Sequence, residues 1–362
     1  MQYIGNKQSL VPTIYELMQK HDVSGEIFLD LFAGTHSVGS FFKNKGYTVY
    51  ANDWQAYSFY LGKAIIENTE YPEFNKLINS EELQDFKEQY DDLDNYNVVL
   101  NYLNDLEGIE GFFYNNYCPT GTINQEYQKL YFTDENGKKF DSIRTKIEEW
   151  KESGLIKENE YYILVSTAME AMDKVSNTTS VYGAFLKQFK RASLKDIVLK
   201  PLDLNLNGSN HKVYQEDANE LVKKIDADIV YLDPPYNSRQ YALNYHVLET
   251  MALYDNPTLY GKTGTRNYDH QKSDFSSKLR ITDAFETLIK NISETKAKYI
   301  VLSYNNEGIL PKEYILTVLN KYGEVIVEEI DYKRYRSDSD NEKRRYKDTN
   351  SVIEYVYILK TL

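Results

Sequence analysis

Residues 232–236 read Leu-Asp-Pro-Pro-Tyr and directly continue an apolar run that begins at Ile229. Neither proline has an N–H to donate, so a buried strand that ends here stops hydrogen-bonding at once. The rigid turn presents the Asp233 carboxylate, the Pro234 carbonyl and the Tyr236 ring at the rim of a sheet. Two such oxygens can accept the protons of an exocyclic amine while the ring stacks on a flat heterocycle. The alternative is an ordinary strand-ending proline turn.

A second strand end lies near the N-terminus, where residues 28–39 read Phe-Leu-Asp-Leu-Phe-Ala-Gly-Thr-His-Ser-Val-Gly. This is an apolar strand, a small-residue turn and the start of a helix, and Gly34 lets a ligand approach the backbone closely. The turn has too few glycines for a diphosphate cradle. Asp53 ends the next strand about 20 residues beyond the turn, the separation at which an acid holds ribose hydroxyls. The pair favours S-adenosylmethionine over NAD.

The order of these motifs resembles that of the DNA adenine-N6 methyltransferases in which a cofactor motif is followed by a target-recognition insert and then by Asp-Pro-Pro-Tyr. The resemblance includes Tyr-Ile-Gly-Asn-Lys at residues 3–7 and the stretches 237–246 and 302–306. It implies an α/β fold, with a Rossmann-like S-adenosylmethionine-dependent methyltransferase sheet and an inserted, mainly helical target-recognition domain. We expect a catalytic domain over residues 1–60 and 206–362 and an insert over residues 61–205.

The resemblance also implies roles for individual residues. Asp233, Pro234 and Tyr236 would be catalytic, acting on an adenine that is flipped out of the duplex. The implied ligands of S-adenosylmethionine are Tyr3, Gly5, Lys7, Asp30, Phe32, Ala33, Gly34, Asp53 and Asp217. Asp217 could equally cap the helix that follows it. Tyr241 and Tyr245 are candidate walls of the base or cofactor pocket, or simply core residues.

The net charge of −13 argues at first against a DNA partner. Residues 67–110, however, hold thirteen acids against two lysines, which accounts for most of the excess. Two other segments, 187–200 and 332–348, are basic and could contact phosphates or be ordinary solvated faces. The predicted DNA-binding residues are Lys187, Lys190, Arg191, Arg239, Arg334, Arg336, Arg344 and Arg345.

The single cysteine excludes an internal disulfide, and no zinc ligand set is evident. A cytosine-C5 methyltransferase needs an attacking thiolate that follows a proline, but here Cys118 precedes Pro119. We expect a cytoplasmic protein with no membrane partner, because there is no apolar run of about 20 residues. Its expected partner is double-stranded DNA, with a cognate restriction endonuclease as a further candidate. A monomer is expected, because each half-site presents one base.

Three alternatives stay open at this stage. An N4-cytosine DNA methyltransferase or an RNA methyltransferase would share the exocyclic-amine chemistry. Asp rather than Ser at position 233 favours adenine, and the long insert favours DNA. A non-catalytic DNA-binding relative is a third alternative, against which the intact residues 233–236 argue.

Hydrophobic periodicity predicts the elements that must position these residues. The predicted strands cover residues 27–32, 48–52, 212–215, 228–232, 299–302, 325–330 and 352–359, the last two antiparallel. Outside the insert, a helix is predicted over residues 10–20. Within the insert, helices are predicted over residues 141–153 and 161–175, with a turn at residues 135–138.

Overall fold

The computed structural model describes residues 6–90, 92–333 and 351–362. The chain divides into two compact units. The described residues of the sheet unit fall within Gly5–Phe59, Asn207–Ala242 and Asp269–Leu362. Those of the helical unit fall within Tyr60–Leu206 and Leu243–Tyr268.

The described chain contains the following helices and strands. The helices are α1 (Val11–Lys20), α2 (Ser37–Asn44), α3 (Ala56–Gly62), α4 (Asn75–Ile78), α5 (Gln84–Lys87), α6 (Asn95–Asp105), α7 (Phe112–Tyr117), α8 (Asp134–Glu152), α9 (Glu158–Val175), α10 (Ala218–Leu221), α11 (Tyr241–Asn244), α12 (His246–Leu253), α13 (Ile281–Ser293) and α14 (Lys312–Leu319). The strands are β1 (Ile27–Asp30), β2 (Thr48–Asn52), β3 (Lys212–Tyr214), β4 (Ile229–Leu232), β5 (Leu259–Tyr260), β6 (Thr265–Arg266), β7 (Tyr299–Asn305), β8 (Gly323–Lys333) and β9 (Ser351–Thr361).

The sheet unit is built on a seven-stranded sheet in the order β3-β2-β1-β4-β7-β9-β8. The strands β3, β2, β1, β4 and β7 pair in parallel, whereas β9 is antiparallel to both of its neighbours. Strand order reverses beside β1, and ligands in open α/β sheets bind at the carboxyl ends of the strands next to such a switch. The predicted α/β fold is confirmed, and so is the antiparallel pairing of the last two strands.

The core of this unit lies on both faces of its central strands. All four residues of β4 are buried, as expected of a parallel strand that helices cover on both sides. On one face Phe28 stacks on Phe42 from α2, with ring centroids 3.7 Å apart. Apolar residues of β1, β4 and β7 pack with α13 and α14 in a single cluster. This packing fixes the strand ends from which the predicted site residues emerge.

The helical unit contains the long helices α8 and α9. The turn predicted at residues 135–138 is wrong, because these residues form the first turn of α8, where the Thr133 side chain caps the N–H of Asn136. The glycine that suggested a turn serves close packing instead: a Cβ at Gly137 would lie 2.2 Å from the Cys118 sulfur. Gly154, with φ +68°, follows the end of α8 as predicted.

The helical unit differs from the predicted insert mainly by including a later segment of the chain. Residues 243–268, which the sequence analysis assigned to the catalytic domain, cluster with the helical unit. Arg144 of α8 explains this, because its fully buried guanidinium donates to the carbonyl oxygens of Met251 and Ala252 at the end of α12. Its guanidinium carbon also lies 4.9 Å from the centroid of the Tyr254 ring. A buried cation that satisfies helix-end carbonyls ties the segment to α8.

Candidate active site

The Asp-Pro-Pro-Tyr motif and the glycine turn leave neighbouring strands at the same edge of the sheet. Asp30 of β1 pairs with Tyr231 of β4, and the Leu31 N–H donates to the Tyr231 carbonyl at 3.2 Å. Continuing this register places Phe32, two residues beyond β1, opposite Asp233, the first residue beyond β4. The parallel pairing therefore brings the two predicted motifs to adjacent strand ends.

The glycine turn is held from two sides. The Gly34 N–H donates to Asp53 Oδ2 at 2.9 Å, and the Gly34 carbonyl accepts from the Ser58 hydroxyl at 2.7 Å. Gly34 has φ +51°, a conformation that glycine adopts without steric cost. Asp53 Oδ1 accepts the Gln55 N–H at 2.9 Å. Asp53 therefore holds two backbone N–H groups with different carboxylate oxygens, and its contact with a ribose stays a prediction.

Asp30 shapes the same turn from inside the protein. Its side chain is buried, and Oδ2 accepts the Gly39 N–H of α2 at 3.0 Å. Burial raises the pKa of Asp30 to about 8, and the charges of Asp233 and Asp53 act in the same direction. Asp30 thus positions the start of α2, and its direct contact with a cofactor stays a prediction.

Asp233 lies in a mostly buried, charged setting. The Tyr236 hydroxyl donates to its Oδ1, and the Lys7 ammonium lies 3.6 Å from the same oxygen. Burial is the main effect that raises the pKa of Asp233 to about 6, and the Glu354 charge adds to it while Lys7 and Tyr236 oppose it. A carboxylate with this pKa is ionised at neutral pH but can take up a proton readily.

The Tyr236 ring is positioned by three contacts. The Lys7 ammonium lies 4.7 Å from its centroid, and Tyr304 packs against it edge to face at 5.2 Å. Its backbone carbonyl accepts the Ile309 N–H at 3.0 Å. These contacts fix the motif on the sheet, whereas stacking of Tyr236 on a base stays a prediction.

Glu354 is a site residue that the sequence analysis missed. It comes from β9, is 3% exposed, and forms an ion pair with Lys7. The Ser303 hydroxyl of β7 donates to its Oε1 at 2.7 Å. The available signal was a lone acid within the otherwise apolar strand 352–359, a pattern with no local meaning until β7 and β9 are paired.

The Tyr241 hydroxyl is affected by carboxylates from both predicted halves of the site. Burial raises the pKa of its hydroxyl, and the carboxylates of both Asp233 and Asp53 raise it further. The hydroxyl therefore lies within electrostatic range of the catalytic motif and of the acid that holds the glycine turn. Tyr245, the other candidate pocket wall, is fully buried in the helical unit and belongs to its core.

A family model for D12 class N6 adenine-specific DNA methyltransferases matches residues 3–318. This span contains the glycine turn, Asp53 and the Asp-Pro-Pro-Tyr motif. The chain belongs to this family. The adenine-specific DNA methyltransferase expected from the motif order is confirmed, and membership implies a methyl donor as cofactor.

Curated relatives of this methyltransferase are modification methylases. It is 43% identical to modification methylase StsI of Streptococcus sanguinis over 93% of its own length and 49% of that protein. It is 40% identical to the type II methyltransferase M.NlaIII of Neisseria lactamica, with 99% of both chains covered. For the type II methyltransferase M.FokI of Planomicrobium okeanokoites, the identity is 35% over 99% of this chain and 52% of that protein. The methyltransferase thus spans about half the length of the first and third relatives and almost all of the second.

Two predicted cofactor ligands of the methyltransferase take structural roles. Asp217 caps α10, accepting the N–H groups of Asn219 and Glu220, so the capping alternative describes its contacts. Lys7, expected at the methionine end of the cofactor, pairs with Glu354 and approaches Asp233. Tyr3 and Gly5 lie outside the described residues. Cofactor contacts for all of these stay predictions.

The predicted DNA-binding residues differ in accessibility. Lys187, Arg191 and Arg239 are exposed. Lys190 is half-buried, and its ammonium donates to the Thr178 carbonyl at 2.7 Å. Arg334, Arg336, Arg344 and Arg345 lie outside the described residues.

Within the described ranges, no cluster of three or more potential metal ligands occurs, and no helix has the length and apolarity to span a membrane.

Proposed function

We propose that this protein transfers a methyl group from S-adenosylmethionine to N6 of an adenine flipped out of double-stranded DNA. The observation that carries the proposal is the placement of the Asp233 carboxylate and the Gly34 turn after adjacent parallel strands. In open α/β sheets this edge is where nucleotide ligands bind. The D12 family membership supplies the reaction class.

Asp233 and Pro234 would hold the reacting amine. Adenine N6 is a weak nucleophile because its lone pair is delocalised into the ring. The two N6–H groups would donate hydrogen bonds to the Asp233 carboxylate and the Pro234 carbonyl. These hydrogen bonds favour tetrahedral geometry at the nitrogen and localise its lone pair. Because burial raises the pKa of Asp233 to about 6, the same carboxylate can accept the proton that the methylated amine releases.

Tyr236 would retain the extruded base. A base stacked in the duplex cannot reach a strand-end pocket, so it must leave the helix, and aromatic stacking offsets part of the unstacking cost. The ring is fixed on its edge by Tyr304 and by the backbone bond to Ile309. A ring already held in place loses little freedom when the base arrives.

The remaining residues would form the cofactor side of the site. S-adenosylmethionine supplies an electrophilic methyl group on a sulfonium. The Gly34 turn offers close backbone approach, and Asp53 offers carboxylate oxygens beside it. Lys7 is the cation nearest Asp233 among the described contacts of this cluster. This donor set fits a nucleoside with an amino-acid tail better than a diphosphate.

For the DNA side, we infer that Lys187, Arg191 and Arg239 contact phosphates, because they are exposed cations in an otherwise acidic chain. The relatives' names place them in restriction–modification systems. We accordingly propose that this enzyme protects cytoplasmic DNA against a cognate endonuclease and acts as a monomer on one flipped base at a time. The recognition insert would be the helical unit.

The proposal is tested by transfer of labelled methyl from S-adenosylmethionine to unmethylated plasmid DNA, with tRNA and cytosine-rich DNA as comparators. Nuclease digestion and mass spectrometry identify the product base. N6-methyladenine in DNA is the expected product. Label confined to RNA, or N4-methylcytosine in DNA, would overturn the assignment.

A further inference from the structure

The acid that pairs with Lys7 lies outside every motif that suggested the site. Glu354 belongs to β9, the only antiparallel strand of the described seven-stranded sheet, and lies beyond the residues that the family model matches. Its carboxylate is nonetheless directed into the site, where the Tyr236 hydroxyl lies 3.5 Å from Oε1. The last strand therefore contributes a charged group to the Asp-Pro-Pro-Tyr cluster.

The geometry around Lys7 is asymmetric. Its ammonium makes a direct ion pair with Glu354, whereas it lies 3.6 Å from Asp233 Oδ1, beyond ordinary hydrogen-bond length. Glu354 is in turn held by the Ser303 hydroxyl. The stronger contact of this buried lysine is thus made with the acid that has no place in the proposed reaction.

This asymmetry matters because Lys7 and adenine N6 would compete for the same carboxylate. If the ammonium moved into a full ion pair with Asp233, it would occupy acceptor positions that the amine needs. It would also hold the carboxylate in its ionised form and make it a poorer acceptor for the released proton. A second acid that keeps the ammonium prevents both effects.

We propose that Glu354 is a positioning residue, which retains the Lys7 ammonium and so leaves the Asp233 carboxylate available to the adenine amine. The proposal rests on the proposed function, since it assigns Asp233 to N6. Glu354 itself touches neither substrate nor reacting atoms in this account.

The test is the pH dependence of kcat/KM for methyl transfer to plasmid DNA, which reports the ionisations of the free enzyme. The titratable and charged groups that act on Asp233 or are acted on by it are Lys7, Asp30, Tyr231, Tyr236, Tyr241 and Glu354. The Glu354→Gln variant removes one negative charge and releases Lys7 towards Asp233. Both effects lower the pKa of Asp233. The acid limb of the profile, which is the fall of kcat/KM at low pH, is therefore expected to move to lower pH by about one unit.

The Glu354→Gln variant is also expected to lower kcat, because Lys7 would displace a hydrogen bond between the adenine amine and the Asp233 carboxylate. Loss of one hydrogen bond to a charged group corresponds to a reduction of about 10- to 100-fold. Its KM for S-adenosylmethionine is expected to stay near that of the wild type. Glu354→Asp keeps the charge and is expected to return the acid limb towards its wild-type position. The matched control is Glu328→Gln on the neighbouring strand β8, an acid that pairs with Lys20 and His21, which should change neither quantity.

Lys7→Met provides a readout in the opposite direction. Removal of the ammonium leaves the Glu354 charge unopposed, so the acid limb is expected to move to higher pH, a reversal that general structural damage would not produce. If Glu354→Gln does not fold, this variant alone decides, and an unmoved limb overturns the proposal. If it folds, an unmoved acid limb with kcat within about twofold of wild type overturns it. A wild-type enzyme that transfers no methyl to DNA would instead refute the proposed function.

Discussion

The Asp53 carboxylate accepts the Gly34 N–H at 2.9 Å, so the acid that directly follows β2 fixes the turn that follows β1. The turn and the acid are predicted to contact different parts of the cofactor, the amino-acid tail and the ribose. Here they form one unit, and a change in either alters the other.

The Asp53→Ala variant is therefore expected to lose both a ribose contact and the fixed turn. Loss of one or two hydrogen bonds to a charged acceptor should weaken S-adenosylmethionine binding by about 10- to 100-fold. Isothermal titration of the free enzyme measures this. Asp53→Asn retains one acceptor oxygen, so its affinity for S-adenosylmethionine should lie between those of wild type and Asp53→Ala. A wild-type affinity in Asp53→Ala would contradict the assignment.

Asp233→Asn should strongly slow catalysis while leaving the fold intact. We expect kcat to fall by about 10² to 10⁴, the usual contribution of a positioned proton acceptor. Because burial raises the pKa of Asp233 above its ordinary value, its ionised form costs stability, so a neutral side chain should not lower the melting temperature at neutral pH. Single-turnover methyl transfer and calorimetric melting are the measurements. Normal turnover would refute the role.

Wild-type kcat/KM should decline as pH falls through about 6, where the pKa of Asp233 lies. Below that value the carboxyl group is protonated and offers fewer acceptor positions to the amine. A stopped-time assay between pH 5 and pH 8 at constant ionic strength measures the limb. A profile that stays flat down to pH 5 would contradict the setting described for Asp233.

Ionisation of Asp30 should influence the stability of the protein. Its folded-state pKa of about 8 exceeds its ordinary value of 3.8, so its stabilising contribution is fully present below pH 4 and is lost as pH rises through 8. Asp30→Asn stays neutral and can keep an acceptor for the Gly39 N–H. The free energy of unfolding in urea is measured for both proteins. The value for Asp30→Asn minus the value for wild type should therefore rise between pH 5 and pH 8. A constant difference would show that Asp30 ionises normally.

Tyr236→Ala and Tyr236→Phe separate stacking from hydrogen bonding. Phenylalanine keeps the ring but loses the hydroxyl that donates to Asp233, whereas alanine loses both. Loss of stacking should weaken binding of the flipped base by about 1–3 kcal/mol in Tyr236→Ala, whereas Tyr236→Phe should keep this contribution. Fluorescence of 2-aminopurine at the target position reports extrusion. Equal signals from the two variants would argue against stacking.

Exposed cations of the helical unit can be tested by salt dependence. If Lys187 and Arg191 each neutralise one phosphate, the double alanine variant should reduce the slope of log K against log salt by about 0.9 per contact. Lys174→Ala, at an exposed lysine of the same unit, is the matched control. An unchanged slope in the double variant would remove these residues from the interface.

The sequence predicted the strand-end motifs because their meaning is local. An apolar run that meets two prolines must end there, and parallel pairing then sets Asp233 beside the glycine turn. Glu354 escaped prediction because only the pairing of β7 with β9 brings it to Lys7. The clustering of residues 243–268 with the helical unit could not be predicted for a similar reason, since the buried Arg144 that holds α12 is distant in sequence. The turn predicted at residues 135–138 was wrong because Gly137 lacks a side chain for close packing on Cys118 rather than for a turn.

A crystal structure with DNA and a non-reactive analogue of S-adenosylmethionine would show where the reacting amine binds. We expect an extruded adenine whose N6 lies within hydrogen-bond distance, about 3 Å, of the Asp233 carboxylate and the Pro234 carbonyl, with the analogue against the Gly34 turn. An adenine that remains stacked in the duplex, or an analogue bound away from the Gly34 turn, would contradict it.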